Sequence, residues 1–424
     1  MSGLIEIREE QERVILVAIE LSDSDKVSES LDELDELVET AGARTVGRLI
    51  QKREAFNPGT YLGKGKILEL KDLIEDTNAT GIICDDELSP AQMRNLEEAL
   101  ETKIMDRTML ILDIFAKHAS TAEGKLQVEA AQLKYRLARL VGMRKSMSRV
   151  SYGIGMRGPG EKKLEMDRRL IRDRISRLGE ELKSLEQNRR TGRTKRINSG
   201  IPIVALVGYT NAGKSTLLNR LTGSDILSAD MLFATLDPTT RSFKLENGQE
   251  ILLTDTVGFI RKLPHHLIDA FRSTLEEACF ADIIIHVCDA SNSACENQMQ
   301  VVYETLKKLG VKEKPIITVF NKQDLVKEKE IIKDLNAERT IDVSAITGLG
   351  LDELASALES ILLEKKILID NIIDFKDAGI IQSIRKNGIL LEEEYLASGI
   401  RIKAYVSKEL FGRIQGCLNK NGTI

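Results

Sequence analysis

One stretch constrains this chain more than any other: Gly208-Tyr209-Thr210-Asn211-Ala212-Gly213-Lys214-Ser215. It has the spacing G-x-x-x-x-G-K-[ST] and stands between an apolar run, Ile203 to Val207, and a helical run from Ser215 and Thr216 to Leu221. A chance match in a loop would lack the strand before it and the helix after it. In that context the glycines let the backbone curl so that its N–H groups face a phosphate. Lys214 can neutralise β- and γ-phosphate charge, and the Ser215 hydroxyl can ligate Mg²⁺.

The rest of a nucleotide site follows in order. Ile251-Leu252-Leu253-Thr254 is a second apolar strand that runs into Asp255-Thr256-Val257-Gly258, where Asp255 can hold the Mg²⁺ shell and the Gly258 N–H can meet a γ-phosphate. Asn247-Gly248 signals a hairpin back to Ser242 to Leu245, so one antiparallel strand should flank an otherwise parallel sheet. After a third apolar run, Ile316 to Phe320, comes Asn321-Lys322-Gln323-Asp324. A carboxylate at Asp324 can accept two hydrogen bonds from guanine's ring N–H and exocyclic amine, a donor pair that adenine lacks. The site should therefore take GTP, and GDP after hydrolysis. Val343-Ser344-Ala345 sits where a backbone N–H can read the guanine O6. Between Ser215 and Asp255, the segment Phe233-Ala234-Thr235-Leu236-Asp237-Pro238-Thr239-Thr240 offers three threonines as the second hydroxyl ligand for Mg²⁺. Phe259 stands where many small GTPases carry a water-orienting Gln. A phenyl ring cannot hydrogen-bond a water, so hydrolysis by the isolated protein should be slow.

The chain's 424 residues leave room for more than this. Upstream, apolar runs at Val14 to Ile19, Thr45 to Ile50 and Gly81 to Cys84 alternate with helical stretches, which predicts an open α/β sheet. Ser89-Pro90-Ala91-Gln92 is a strong helix start. Asn57 to Lys66 is expected to be a flexible, basic surface turn. Next come two helical seams, Leu126, Ala130, Leu133, Leu137, Leu140 and Ile171, Ile175, Leu178, Leu182, Leu185, separated by four glycines and a proline between Ser151 and Glu161. This predicts an antiparallel helical hairpin with an irregular tip. From Lys134 to Arg196 there are 20 Lys and Arg against 7 Asp and Glu, so this stretch carries +13 and the rest of the chain −18. Such segregation is the footprint of a polyanion-binding element. Arg149, Arg157, Lys162 and Lys163 are the candidate RNA contacts. Gln187 to Gly200 reads as a linker.

The expected architecture is α/β: an N-terminal α/β domain (1–120), the basic hairpin (121–196), a P-loop G domain with a mostly parallel sheet (200–365) and a small C-terminal α+β module (366–424). Five scattered cysteines without C-x-x-C spacing exclude a zinc module and a disulfide scaffold. No apolar run is long enough to span a bilayer, and a soluble, cytoplasmic monomer is expected. His265 and His266 read as solvated loop residues, and His286 as a core histidine.

With these motifs assembled, the chain resembles the HflX-type GTPases of the translation-factor-related class over nearly its whole length. The resemblance rests on Tyr61-Leu62-Gly63-Lys64-Gly65-Lys66, Glu123-Gly124-Lys125-Leu126-Gln127-Val128-Glu129, Gly155-Met156-Arg157-Gly158-Pro159-Gly160-Glu161 and Phe233-Ala234-Thr235-Leu236-Asp237. It implies that Thr235 is the second Mg²⁺ hydroxyl; by similarity to potassium-stimulated GTPases, Asn211 is expected to help hold a K⁺ ion at the phosphates. It also implies binding to the large ribosomal subunit and 23S rRNA, with splitting of stalled ribosomes under stress. A GTP-gated binding module, in which hydrolysis only resets affinity, is the alternative. An RNA-remodelling ATPase is disfavoured by Asp324 and by the lack of a second RecA-like pattern.

Overall fold

The structure is a computed structural model and describes residues 11–21, 26–147, 159–198, 200–223, 232–233, 238–262, 277–311, 314–326 and 332–412. The described residues form two compact units. The first comprises residues up to 190 with 232–233 and 257–262, and the second comprises 191–223, 238–256 and the residues from 277 onward.

In the first unit, four parallel strands lie in the order β2-β1-β3-β4: β1 (Arg13–Glu20), β2 (Arg44–Lys52), β3 (Gly81–Cys84) and β4 (Lys103–Asp106). Val14 to Ile19 are all buried, as a central parallel strand covered on both faces requires. Each such Val, Leu or Ile contributes about 1.5–3 kcal/mol by leaving water. Helix α1 (Val27–Thr40) turns Leu31, Leu34, Leu37 and Val38 inward at helical spacing. Helix α2 (Lys64–Thr77) follows β2, and α3 (Pro90–Leu100) opens with the predicted capping box between Ser89 and Gln92. Asp106 caps α4 (Arg107–His118) by accepting from the Met109 N–H.

Two expectations need correction here. Asn57 to Leu62 is not a flexible turn: Asn57 and Tyr61 exchange backbone hydrogen bonds, Gln92 and Asn95 donate to the Asn57 and Gly59 carbonyls, and Tyr61 and Leu62 are buried. Gln187 to Gly200 does span the boundary between the two units, which falls after Arg190, but it is helical, because α6 (Pro159–Asn198) continues through Asn198. Extending an existing helix costs far less than starting one, so Arg and Lys carry it through residues that would not nucleate it.

Helix α5 (Ala122–Met147) pairs with α6 antiparallel, through Glu123 with Arg189, Glu129 with Arg174 and the Leu140 carbonyl with Arg168. The seam is thin: Leu178 is fully buried, whereas Leu126, Leu133 and Leu137 are half-buried. Tyr135 and Arg139 of α5 both reach the buried Asp106 carboxylate, fastening α5 to the sheet end. The tip, with Arg149 and Arg157, lies outside the described residues, as do the side chains of Lys162 and Lys163.

The second unit holds a six-stranded sheet in the order β10-β9-β8-β5-β7-β6, parallel except for the β6–β7 hairpin. Its strands are β5 (Ile203–Gly208), β6 (Thr239–Lys244), β7 (Glu250–Asp255), β8 (Ile283–Asp289), β9 (Ile316–Asn321) and β10 (Arg339–Asp342). Val204, Leu206, Ile283, Ile285, Ile317 and Val319 pack with Leu217 and Leu218 of α7 (Lys214–Thr222) and Leu354 and Leu358 of α9 (Leu351–Glu364). Helix α8 (Cys295–Lys308) places Met299 against Cys288 and Phe320. A three-stranded antiparallel sheet, β11 (Ile367–Ile373), β13 (Gly399–Val406) and β12 (Ile389–Leu396), carries α10 (Ala378–Asn387) on one face through Ile381 and Ile384.

Candidate active site

The phosphate loop leaves the buried end of β5. A Cβ on Gly208 would lie 2.2 Å from the Val287 carbonyl oxygen, so only glycine lets β5 approach β8 this closely. Asn211 (φ 60°) and Gly213 (φ 88°) are left-handed and curl the loop into the start of α7. Tyr209, Thr210 and Ala212 are buried, and Thr216 is half-buried in the first turn of α7. Lys214 is 6% exposed and donates from Nζ to the Tyr209 carbonyl at 2.7 Å. Burial pushes its pKa down to about 8 against the opposing pull of Asp255. A cation held at such a cost is relieved by an anion entering the loop.

From the neighbouring strand, Asp255 is fully buried at the end of β7 and its Oδ2 accepts from the Ser215 hydroxyl at 2.6 Å. Two hard oxygen donors from α7 and β7 thus stand side by side, the chemistry that Mg²⁺ selects. Thr256 donates its hydroxyl to the Leu206 carbonyl at 2.7 Å and ties the motif back to β5. Among the described residues no group of three His, Cys, Asp or Glu side chains gathers as a metal cluster.

At the other end, Asn321 fastens the loop after β9 to the loop after β5, with Nδ2 donating to the Ala212 carbonyl at 2.9 Å and Oδ1 accepting from the Ala345 N–H at 3.0 Å. Lys322 adopts φ 63° and pairs with Asp289 at 2.7 Å. Asp324 accepts from the Ser344 hydroxyl at 2.5 Å, which fixes one carboxylate oxygen. Asp289 was not foreseen from the sequence. Its signal was an acid at the end of an apolar strand, in register with Asn321.

Of the remaining sequence candidates, Phe233 (φ 57°) is buried edge-to-face against Phe115 at 4.6 Å within the first unit. Val257 and Gly258 belong to that unit too. Phe259 is 1% exposed. Ala234, Thr235, Leu236 and Asp237 lie outside the described residues, as do His265 and His266. The alternative Thr240 hydroxyl is 3.0 Å from that of Thr254. His286 is indeed a core residue, with Nε2 3.4 Å from the Cys288 sulfur, and burial lowers its pKa to about 4.

Three family descriptions match consecutive parts of the chain: GTP-binding GTPase N-terminal over residues 28–116, GTP-binding GTPase middle region over 118–196, and 50S ribosome-binding GTPase over 203–322. The GTPase HflX of Lacrimispora saccharolytica is 60% identical over 414 residues, covering 98% of each chain. That of Caldanaerobacter subterraneus subsp. tengcongensis is 49% identical, covering 97% of this chain and 94% of its own. That of Escherichia coli is 44% identical, covering 82% of each. A solved GTP-binding protein from Sulfolobus solfataricus in complex with GDP is 27% identical, covers 82% of this chain and 98% of its own, and superposes with a TM-score of 0.43. No described helix is long and apolar enough to cross a membrane. With the P-loop motif, the Ser215–Asp255 hydrogen bond and the Asn321–Asp324 loop on strand ends of one sheet, and relatives this similar along the whole chain, the protein belongs to the HflX family of GTPases.

Proposed function

We propose that this GTPase binds the large ribosomal subunit through 23S rRNA and uses GTP-dependent switching to dissociate stalled 70S ribosomes under stress. The observation that carries the reading is the pairing, on one chain, of a guanine-nucleotide pocket with the long α5–α6 hairpin whose region bears +13. The match to a 50S ribosome-binding GTPase description supports it. The working units are the four parts of the sequence reading, acting as a cytoplasmic monomer.

In this reading the backbone from Gly208 to Gly213 cradles the phosphates and Lys214 neutralises them. Ser215 and Thr235 supply hydroxyls and Asp255 a carboxylate for Mg²⁺, which offsets β,γ-oxygen charge when bound. Gly258 meets the γ-phosphate, with Phe233 to Asp237 and Thr256 to Val257 lining the site. Asn321, Lys322, Asp324, Ser344 and Ala345 select guanine, and Asn211 lends its side chain to a K⁺ ion. Phe259 supplies no hydrogen bond to the attacking water, so turnover is slow until ribosome docking orders the switches.

Splitting of 70S particles is measured by light scattering with GTP and with a non-hydrolysable analogue. GTP-dependent splitting is expected, and its absence with both nucleotides overturns the reading. Full activity with the analogue shifts it to the GTP-gated binding module. Neutralising Arg149, Arg157, Lys162 and Lys163 together should make the salt dependence of subunit binding shallower.

A further inference from the structure

Asp289 ends β8 as Asn321 ends β9, and the two stand in register on neighbouring strands of the six-stranded sheet. The chains stay tied past that point, with the Ala290 N–H donating to the Asn321 carbonyl at 2.9 Å. Both oxygens of the Asp289 carboxylate are engaged. Oδ1 accepts from the Ser291 N–H at 3.0 Å and from the Ser291 hydroxyl at 2.6 Å, and Oδ2 faces Lys322 Nζ at 2.7 Å. The turn made with Ser291 fixes the orientation of the carboxylate, so the lysine meets an acceptor already in place. Side-chain exposure is 14% for Asp289 and 20% for Lys322, which shelters the pair from the screening that weakens a surface ion pair.

Lys322 holds the strained position of its loop. Its φ of 63° is left-handed and unfavourable for a side chain with a Cβ, and such a conformation persists where surrounding contacts over-determine it. The residues on either side are fastened. Asn321 is held by the Ala212 carbonyl and the Ala345 N–H, Gln323 donates its N–H to the Val343 carbonyl and its side-chain amide to Asp342, both at 3.2 Å, and Asp324 is held by Ser344. The side chain of Lys322 is held by Asp289. Every one of these residues belongs to the second unit. With its charge balanced by Asp289, the ammonium adds little field at a phosphate. What the pair governs is the turn that carries the chain from Asn321 to Asp324.

We propose that Asp289 is a positioning residue for guanine recognition: by anchoring Lys322 it holds the left-handed turn that presents Asp324 to the base, and it acts alike on guanine nucleotides whatever their number of phosphates. The inference rests on the reading of Asn321 to Asp324 as the guanine-selecting loop.

The test measures binding of fluorescent GDP and of a fluorescent non-hydrolysable GTP analogue, together with steady-state GTP turnover. Asp289→Asn should weaken both nucleotides by the same factor of about five, the worth of a sheltered ion pair, and raise KM for GTP with kcat within about twofold. Lys322→Met should weaken both as well, and Asp289→Asn should add nothing in that background, because the two residues act as one unit. Unchanged affinities in Asp289→Asn, costs that add in the double variant, or a fall in kcat at unchanged KM each overturn the proposal. So does tighter binding of the triphosphate analogue, which would mean that Asp289 withholds a cation from the phosphates. Asp324→Asn, measured alongside, should move preference from guanine toward xanthine. If it does not, the reading of the loop fails and the proposal with it; if it does while Asp289→Asn binds as the unaltered protein does, the anchor alone fails.

Discussion

Both the four-stranded and the six-stranded sheet carry a glycine followed by lysine at the start of a helix, and the two pairs are built differently. In the second unit Gly213 sits at φ 88° and a Cβ there would be 2.3 Å from Asn321 Nδ2, while Lys214 is buried and turned onto the loop's own carbonyl. In the first, Gly63 precedes α2 with an ordinary φ of −76°, its N–H donates to Gln51 at 2.9 Å, and Lys64 is exposed. The strand-end acids divide in the same way. Asp324 spends one oxygen on Ser344, whereas Asp85 is enclosed by Arg107, Ser30 and Lys262. A glycine-lysine pair suits a phosphate where the backbone curls around a buried cation, and not where the lysine is solvated and the glycine N–H is already spent.

The largest effects break this comparison at the acids. Asp324→Asn should shift nucleotide preference from guanine toward xanthine by about a thousandfold, read by competition binding, because the base loses a paired acceptor. Asp85→Asn should leave the choice of base alone and cost about 3 kcal/mol of unfolding free energy, since Arg107 is then buried with one counter-charge fewer. Burial alone would raise the Asp85 pKa, but Arg107 and Lys262 hold it below the usual carboxylate value. Its stabilising charge is therefore present above pH 4 and fades as the pH falls through its depressed pKa, so Asp85→Asn should flatten the acid limb of the stability curve.

Next come the lysines. Lys214→Ala should weaken GTP binding about a hundredfold, the value of a charge-assisted contact. Lys64→Ala should leave it within about twofold, as expected for a solvated charge.

The glycines sharpen the contrast on the scale of stability. Gly213→Ala should cost about 2 kcal/mol in thermal unfolding, from a left-handed φ and a backbone pressed on Asn321. Gly63→Ala should cost less than about 1 kcal/mol, because its neighbours are the ends of Gln51 and Arg53, which can shift.

The smallest effect is a pH dependence. Burial lowers the pKa of Lys214 to about 8, and phosphates beside it would restore its charge. Binding above pH 8 therefore takes up a proton, and GTP affinity should decline there toward a limit of about tenfold per pH unit while remaining flat below. Isothermal titration across pH 7 to 9.5 reads the slope.

Local patterns made the second unit legible. The motifs of its six-stranded sheet stand on apolar strands, and Asn247-Gly248 announced the antiparallel pair within that sheet. The first unit was harder. Strand β4, Lys-Ile-Met-Asp, has four residues and no clear alternation, and it exists because β3 offers it a parallel edge. The tie of Asn57 and Gly59 to α3 spans about 35 positions, and that of Lys262 to Asp85 spans 177. No window of sequence reports a pairing at that range, because each partner alone reads as an ordinary exposed polar residue.

The most direct measurement is the GTP turnover of the purified protein with and without isolated large ribosomal subunits. Slow turnover alone, with a rise of at least about tenfold on adding subunits, is the expected result for a guanine pocket whose attacking water Phe259 cannot orient. Turnover that is the same in both conditions would contradict the link between that pocket and the ribosome.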